Sequence, residues 1–170
     1  ENGVEKISIP KMVDGNGSRS CIVLGYLGSH AHREGVYVLL NVLKDLPPKY
    51  HGLVVGGSSE ELLRIQNEVR RLGLQDRVTC HSNMSRPEAL KLLNRADILV
   101  HFRRPTANGP PDQGLPLKIL DYLLLEKPII CTNLPNNEFL LKLGVGVLVN
   151  FSENNFRLAL LSNDWDEMQE

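Results

Sequence analysis

The stretch QGLPLKILDYLLLEKPIICT, residues 113–132, predicts a loop, a helix start and a buried strand in immediate succession. Pro116 suits the first turn of a helix, where its fixed φ fits and its missing N–H is not needed. The apolar residues after it predict a helix over 116–126, and the run over 128–132 predicts a strand buried on both faces. A helix entered from a Gly-Leu turn offers its first amides to a ligand above the sheet.

Short runs rich in Val and Ile alternate with segments of helical period along the rest of the chain, which indicates a parallel sheet with crossover helices. The predicted strands cover residues 21–28, 53–55, 77–82, 97–102, 128–132 and 145–151. The predicted helices run from Gly35 to Pro47, from Ser58 to about Gly73 and from Ser85 to Ala96, and over 116–126 and 137–143. Six strands alternating with five helices predict the α/β class, with a doubly wound, Rossmann-like parallel sheet.

Two of these helices are expected to begin at capping boxes, in which a serine and a glutamate three residues later satisfy each other's backbone amides. The pairs are Ser58 with Glu61 and Ser85 with Glu88. Gly73 suits a left-handed C-terminal cap.

Length and composition limit the classes of function. A chain of 170 residues has the size of one domain and can bury roughly two-thirds of its unfolded surface. We expect residues 21–170 to form that domain and residues 1–20, which contain Gly and Pro without periodicity, to form an interdomain hinge or linker. Nineteen basic and twenty acidic residues leave a net charge of -1, so nucleic acid is not an expected partner.

The cysteines and histidines argue against a disulfide framework and a metal centre. Cys21, Cys80 and Cys131 each fall in an apolar strand-like run, which predicts reduced core thiols and a cytosolic location. His30 and His32 have no carboxylate or cysteine at ligand spacing, so no zinc site is predicted. No Gly-x-Gly-x-x-Gly or P-loop pattern occurs, so the sequence predicts no nucleotide cofactor of the dehydrogenase or ATPase type. No apolar run approaches the roughly 18 residues of a membrane span.

In an open parallel sheet the ligand lies beyond the carboxyl ends of the strands. The loops predicted at that edge are residues 28–35, 56–59, 82–85, 103–116 and 132–137. They form the candidate site.

The block over 113–132 resembles the acidic motif of retaining glycosyltransferases of the two-Rossmann-domain (GT-B) type, in which two glutamates with seven residues between them surround a Gly-Leu-Pro-like turn. Gln113 and Asp121 stand at the two glutamate positions here. The passage Asn2-Gly3-Val4 with Ile9-Pro10 is similar to the hinge between the two domains of these enzymes. Between hinge and block the resemblance runs in order through residues 26–28, 35, 54–57, 78–83 and 96–98.

This resemblance covers nearly the whole chain and implies the C-terminal, donor-binding half of a group 1 (GT4-like) glycosyltransferase. It implies transfer of a hexose from an NDP-sugar, a UDP- or GDP-hexose, to a hydroxyl acceptor with retention of configuration. The N-terminal acceptor domain would be absent from this chain, so the isolated domain is expected to be inactive. The family implies a cytoplasmic location, with any peripheral membrane association passing through the absent half. It commonly serves polysaccharide or glycolipid assembly and needs no metal or other cofactor for donor binding.

The same resemblance implies a role for each matching residue. Gln113 takes the catalytic position that touches the transferred sugar. Asp121, expected on the exposed second turn of the helix over 116–126, takes the position that binds the ribose hydroxyls. The turn Gly114, Leu115 and Pro116, together with Gly28, Gly56 and Gly57, would approach the diphosphate. The nucleobase would be received by His81, Ser82 and Asn83.

Two cations of the family pattern are missing, because Ser29 stands at an arginine position and Glu34 at a lysine position. We expect positive charge for the diphosphate to come instead from Arg33, Arg103, Arg104 and Lys118. The same departures leave a second interpretation open, in which the chain is a degenerate GT-B domain that binds or scaffolds without catalysis. A flavodoxin-like or sugar-epimerase Rossmann protein is a third alternative, which the lack of a phosphate-binding first loop disfavours.

Overall fold

The computed structural model describes residues 21–29, 35–105, 117–163 and 165. Within these residues the strands are β1 (Ile22–Leu27), β2 (Tyr50–Val55), β3 (Val78–His81), β4 (Ile98–His101), β5 (Ile129–Thr132) and β6 (Gly146–Val149). All neighbouring pairs are parallel, in the order β3-β2-β1-β4-β5-β6. This order confirms the predicted doubly wound sheet, because the chain starts in the middle and winds out to both edges.

The helices follow the strands in strict alternation. They are α1 (Val36–Asp45), α2 (Ser59–Arg71), α3 (Arg86–Leu93), α4 (Leu117–Leu123), a 3₁₀ turn (Pro135–Asn137), α5 (Phe139–Lys142) and α6 (Glu153–Ser162). In the described part of the chain no helix has the length and apolar character to cross a membrane.

The predicted caps of α2 and α3 are present. The Ser58 N–H donates to the Glu61 carboxylate over 2.8 Å, and the Glu61 N–H donates back to the Ser58 hydroxyl over 3.2 Å. The Ser85 N–H donates to the Glu88 carboxylate over 2.9 Å. Gly73 has φ +69°, the left-handed conformation expected after α2.

Each face of the sheet carries its own layer of buried residues. One face packs against α1, α2 and α6 through side chains such as Leu39, Ile65 and Phe156. The other face packs against α3, α4 and α5, which contribute Leu93, Ile119 and Leu140, among others. Burying a side chain of this size stabilises the fold by about 1.5–3 kcal/mol, so the two layers fix which helices stand beside each strand end.

Two of the three cysteines lie in strands, Cys80 in β3 and Cys131 in β5, whereas Cys21 precedes β1. All three are free thiols, and Cys131 is buried. Burial raises the pKa of Cys80 and of Cys131 to about 12, so both remain neutral at physiological pH.

Several element boundaries differ from the prediction. β2 begins at Tyr50 rather than at 53, since its first three residues pair with β1 although His51 and Gly52 interrupt the apolar run. α4 ends at Leu123 rather than at 126, in a turn where Glu126 has φ +52°. The sequence assigned no helix to the residues of α6, whose buried Phe156 and Leu160 face α1.

Some predictions concern residues outside the described ranges. These are the hinge over 1–20, the loop over 106–116 with Gln113, Gly114, Leu115 and Pro116, and the charged residues Arg33 and Glu34.

Candidate functional site

The site is built around the point where the sheet changes winding direction, between β1 and β4. β1 pairs with β2 over six residues, but with β4 only at Leu24 with Ile98 and Gly25 with Leu99. The helix after β1 packs on one face of the sheet and the helix after β4 on the other. Doubly wound proteins bind ligands in a crevice at this switch point, between the carboxyl ends of the two strands.

A buried tyrosine from α4 joins the two strands where their ladder stops. The Tyr122 hydroxyl accepts a hydrogen bond from the Leu27 N–H over 2.9 Å and donates one to the Val100 carbonyl over 3.0 Å. Its side chain is fully buried. Sequence reasoning missed this residue, although a tyrosine three residues after Ile119, on the buried face of a predicted helix, signals a need for a polar partner.

Lys118 places a positive charge at the carboxyl end of β1. Its ammonium lies 5.3 Å from the centre of the Tyr26 ring, and the Tyr26 hydroxyl donates to the Ser29 carbonyl over 2.9 Å. Gly28 has φ +143°, and a Cβ there would lie 2.7 Å from the Lys118 Nζ. The absence of a side chain at Gly28 therefore leaves room for the lysine ammonium.

Glycines also bring the ends of β1 and β2 together. Gly56 has φ +114° and Gly57 φ +75°, both rarely adopted by residues with a side chain. A Cβ on Gly56 would lie 2.7 Å from the Gly28 carbonyl oxygen. Gly28 and Gly56 therefore form a backbone ledge at the carboxyl ends of β1 and β2.

The predicted base-binding segment lies at the end of β3. Asn83 has φ +53°, its N–H donates to the Gly57 carbonyl over 3.3 Å, and its side-chain amide donates to the Ser59 hydroxyl. These bonds tie the segment with His81, Ser82 and Asn83 to the start of α2. Burial, and then the charge of Arg95, lower the pKa of His81, so this ring is neutral at pH 7.

Asp121 differs from the exposed helix residue that the sequence predicts. Its side chain is only 13% exposed, and its carboxylate is paired with Arg86 from the first turn of α3. The Nε and Nη2 groups of Arg86 donate to the same oxygen, Oδ1, over 2.8 and 2.5 Å. The side chain is less exposed than expected because α4 turns this face toward α3.

A buried histidine lies at the end of β4, and sequence reasoning assigned it no role. His101 is 1% exposed, and neither ring nitrogen has a hydrogen-bond partner among the residues that the structure describes. Burial, followed by the charges of Lys118 and Arg103, lowers its pKa to about 3. The ring is therefore neutral beside the two cations. In the sequence, the only indication of this site was a polar residue inside an otherwise apolar strand.

The predicted cations are spread unevenly along this edge. The Arg103 N–H donates to the buried Thr132 hydroxyl over 2.9 Å, which anchors the backbone two residues after the end of β4. Arg104 instead lies over the Phe151 ring, 5.2 Å from its centre, so its charge stands toward β6 and not over the crevice. Among the described residues no group of three potential metal ligands occurs.

The chain matches a known protein family over most of its length. The family is that of the glycosyl transferases, group 1, and its sequence model matches residues 17–169. The chain belongs to this family. No curated protein sequence matches it significantly.

Solved structures show the same fold at low sequence identity. HepE from Anabaena, in complex with UDP and glucose, has a TM-score of 0.68 and 19% identity, covering 88% of this chain and 41% of that one. Sucrose-phosphate synthase from Thermosynechococcus elongatus has a TM-score of 0.66 and 23% identity over 82% of this chain and 35% of that one. WaaG, a glycosyltransferase involved in lipopolysaccharide biosynthesis, has a TM-score of 0.64 and 20% identity over 91% and 41%.

These matches confirm the fold as a Rossmann-like half of the GT-B type. The chain spans about two fifths of the length of these structures.

Proposed function

We propose that this chain is the nucleotide-sugar-binding domain of a retaining hexosyltransferase, and that the acceptor site belongs to a second domain. The observation that carries the proposal is the placement of Lys118 beside Gly28 at the mouth of the β1–β4 crevice. Membership of the group 1 family supports transferase chemistry, and the UDP bound in the Anabaena structure supports a nucleoside diphosphate as ligand.

The diphosphate is proposed to lie over the ledge formed by Gly28 and Gly56. It needs cations and backbone amides, because burying a dianion without partners is costly. Lys118 supplies a cation at this point, with Arg103 on the far side of the crevice. The amino terminus of α1, at Val36, adds a partial positive charge worth about 0.3–1 kcal/mol per ligand charge. These groups offset the missing arginine at Ser29.

The nucleoside is proposed to extend from this ledge toward β3. The backbone of residues 82–83 would receive the base, and the Asp121 carboxylate would accept hydrogen bonds from ribose hydroxyls. A charge-assisted bond of this kind contributes about 1.5–3 kcal/mol.

In the transfer step the bond between the sugar's anomeric carbon and the diphosphate oxygen breaks, and its electron pair leaves with the diphosphate. The acceptor hydroxyl oxygen bonds to that carbon on the same face and gives its proton to the departing diphosphate. Lys118 and the helix amides would stabilise that growing negative charge, which is the main electrostatic task at such a site. Gln113 would bind a sugar hydroxyl, but an amide adds no negative charge near the oxocarbenium-like carbon.

Calorimetric titration of the chain with UDP, GDP and ADP tests donor binding. We expect one of the three to bind, and Lys118→Ala to weaken that binding about 10- to 100-fold, the effect of losing one charge-assisted bond. Lys44→Ala is the matched control, since Lys44 lies in the last turn of α1, at the opposite edge of the sheet. We expect it to leave the affinity unchanged.

Absence of measurable binding by all three nucleotides would contradict the proposal.

Retention of configuration is tested separately in a protein that also carries the acceptor-binding half. There, NMR of the first sugar anomer released by slow donor hydrolysis should show the configuration of the donor. Donor binding without any transfer or hydrolysis would favour the noncatalytic alternative.

A further inference from the structure

The contact between Arg86 and Asp121 joins the two helices that border the nucleoside end of the site. Arg86 is the first residue of α3, directly after the segment at the end of β3, and Asp121 lies on the second turn of α4. Lys118 is on the same helix, three residues earlier, beside the end of β1. The pair therefore lies between the proposed base position and the proposed diphosphate position.

The geometry of the pair leaves hydrogen-bonding groups for a ligand. Both described hydrogen bonds use Oδ1 of Asp121, from Nε and Nη2 of Arg86. Within the described part of the chain, no hydrogen bond involves Oδ2 of Asp121 or Nη1 of Arg86. A carboxylate can accept about four hydrogen bonds and a guanidinium can donate five, so capacity remains on both sides.

Burial separates this pair from an ordinary surface ion pair. The Arg86 side chain is 65% exposed and the Asp121 side chain 13%. In the pair of Arg64 with Glu60, within α2, both side chains are more than half exposed. Exposed pairs contribute little to stability. The Asp121 carboxylate is instead held in a fixed direction, and the Arg86 guanidinium is the solvent-exposed member of the pair.

We propose that Arg86 is a specificity-determining residue that presents Asp121 to the ribose and contacts the sugar itself. Oδ2 of Asp121 accepts a hydrogen bond from one ribose hydroxyl, while Nη1 of Arg86 donates to the oxygen of the neighbouring hydroxyl. This inference deepens the proposed function and rests on it. It also explains how an aspartate, one methylene shorter than the family's glutamate, can serve a ribose: the arginine covers part of the distance.

The proposed contact uses Oδ2 of Asp121 as the acceptor and Nη1 of Arg86 as the donor, so it requires both the 2′- and 3′-hydroxyls of the ribose. A nucleotide without the 2′-hydroxyl would leave a polar group of the pair without its partner, which sites built for a hydroxyl disfavour strongly. We therefore expect the wild-type chain to prefer a ribonucleotide over its 2′-deoxy form by about tenfold or more.

The test is a calorimetric comparison of UDP with 2′-deoxy-UDP, or of GDP or ADP with its deoxy form if that base binds better. Arg86→Gln should weaken the ribonucleotide about tenfold and bring the two affinities within about twofold of each other. Arg86→Lys keeps the charge but cannot place two N–H groups on one oxygen, so it should not restore the preference. Arg64→Gln is the matched control and should behave as wild type.

Three outcomes would overturn the inference. If Arg86→Gln keeps the wild-type preference but unfolds more easily in thermal denaturation, the pair is a structural tie only. If the wild-type chain binds a nucleotide without regard to the 2′-hydroxyl, this inference fails while the proposed function stands. If it binds no nucleotide at all, both fail.

Discussion

The central strand β1 has two neighbours of very different kind. With β2 it forms a complete parallel ladder, from Ile22 paired with Tyr50 to Leu27 paired with Val55. With β4 it keeps two paired positions, and side chains take over at both ends of that short ladder. The Asp97 carboxylate accepts from the Val23 N–H at the amino end, and Tyr122 bridges the strands at the carboxyl end.

The difference shows what an open crevice requires. Buried N–H and C=O groups must be paired, so strands that separate need other partners for the groups they no longer share. Beside β2 the ladder pairs these backbone groups for any sequence with the apolar pattern of a buried strand. Beside β4 the side chains of Asp97 and Tyr122 supply partners where the ladder ends. On this side Gly35 also approaches the Phe102 backbone closely. Variants on the β4 side should therefore cost more than matched variants on β2, where Tyr50, His51 and Gly52 provide the comparisons.

Gly35→Ala should have the largest effect. Gly35 precedes α1 and touches the residue after β4, so a Cβ there would lie 1.9 Å from the Phe102 carbonyl oxygen. Backbone cannot move aside as a side chain can, so we expect a loss of about 3 kcal/mol or more in the free energy of unfolding. Urea denaturation measures it.

Gly52→Ala is the matched change on β2. Its Cβ would lie 2.7 Å from a Leu43 methyl group, the movable end of a side chain. We expect a loss of only about 1 kcal/mol, since small overpacking is tolerated. Equal effects of the two alanines would contradict the view that the β4 side is held by the closer contact.

Tyr122→Phe should come second. It removes one hydroxyl and leaves two buried backbone groups, the Leu27 N–H and the Val100 carbonyl, without that partner. With about 1–3 kcal/mol for a buried group left unsatisfied, we expect a loss of about 2–3 kcal/mol. Tyr50→Phe removes a single bond, to the Leu160 carbonyl, and should cost about 1 kcal/mol. A smaller loss for Tyr122→Phe than for Tyr50→Phe would show that the crevice does not depend on this bridge.

Sequence patterns predicted the fold well because the fold depends on repeated features. Buried strands, capping serines and the glycine after α2 each follow from local rules, and the structure has them. The first three residues of β2 were missed because their strand conformation comes from pairing with β1, a contact remote in sequence.

The candidate site was less accessible to the same reasoning. Asp121 could be proposed from its register with a Gly-Leu-Pro turn, and Lys118 as a cation that replaces the two missing positive charges. Arg86 could not, because its partner lies 35 residues away and the contact depends on how α3 and α4 pack. His101 and Tyr122 were missed for the same reason, since a single residue in an apolar run does not reveal which strands separate above it.

Acidification should give the smallest of the three differences in unfolding free energy between the β4 side and the β2 side of β1. His101 titrates near pH 3 in the folded chain against an ordinary value of 6.5, so between these values the unfolded chain binds the extra proton. Stability is then full above pH 6.5 and falls as the pH drops, by at most 1.36 kcal/mol per unit and about 2 kcal/mol by pH 5. His101→Leu should remove that part of the stability lost on acidification, measured as urea unfolding free energies at pH 7.5 and pH 5.

The control is His51 on β2. Burial also lowers the pKa of His51, but this ring is only partly buried, so His51→Gln should leave most of the acid-induced loss of stability in place. An unchanged acid loss in His101→Leu would mean that the folded chain accepts the proton under Lys118 and Arg103, and that the end of β4 is open to water.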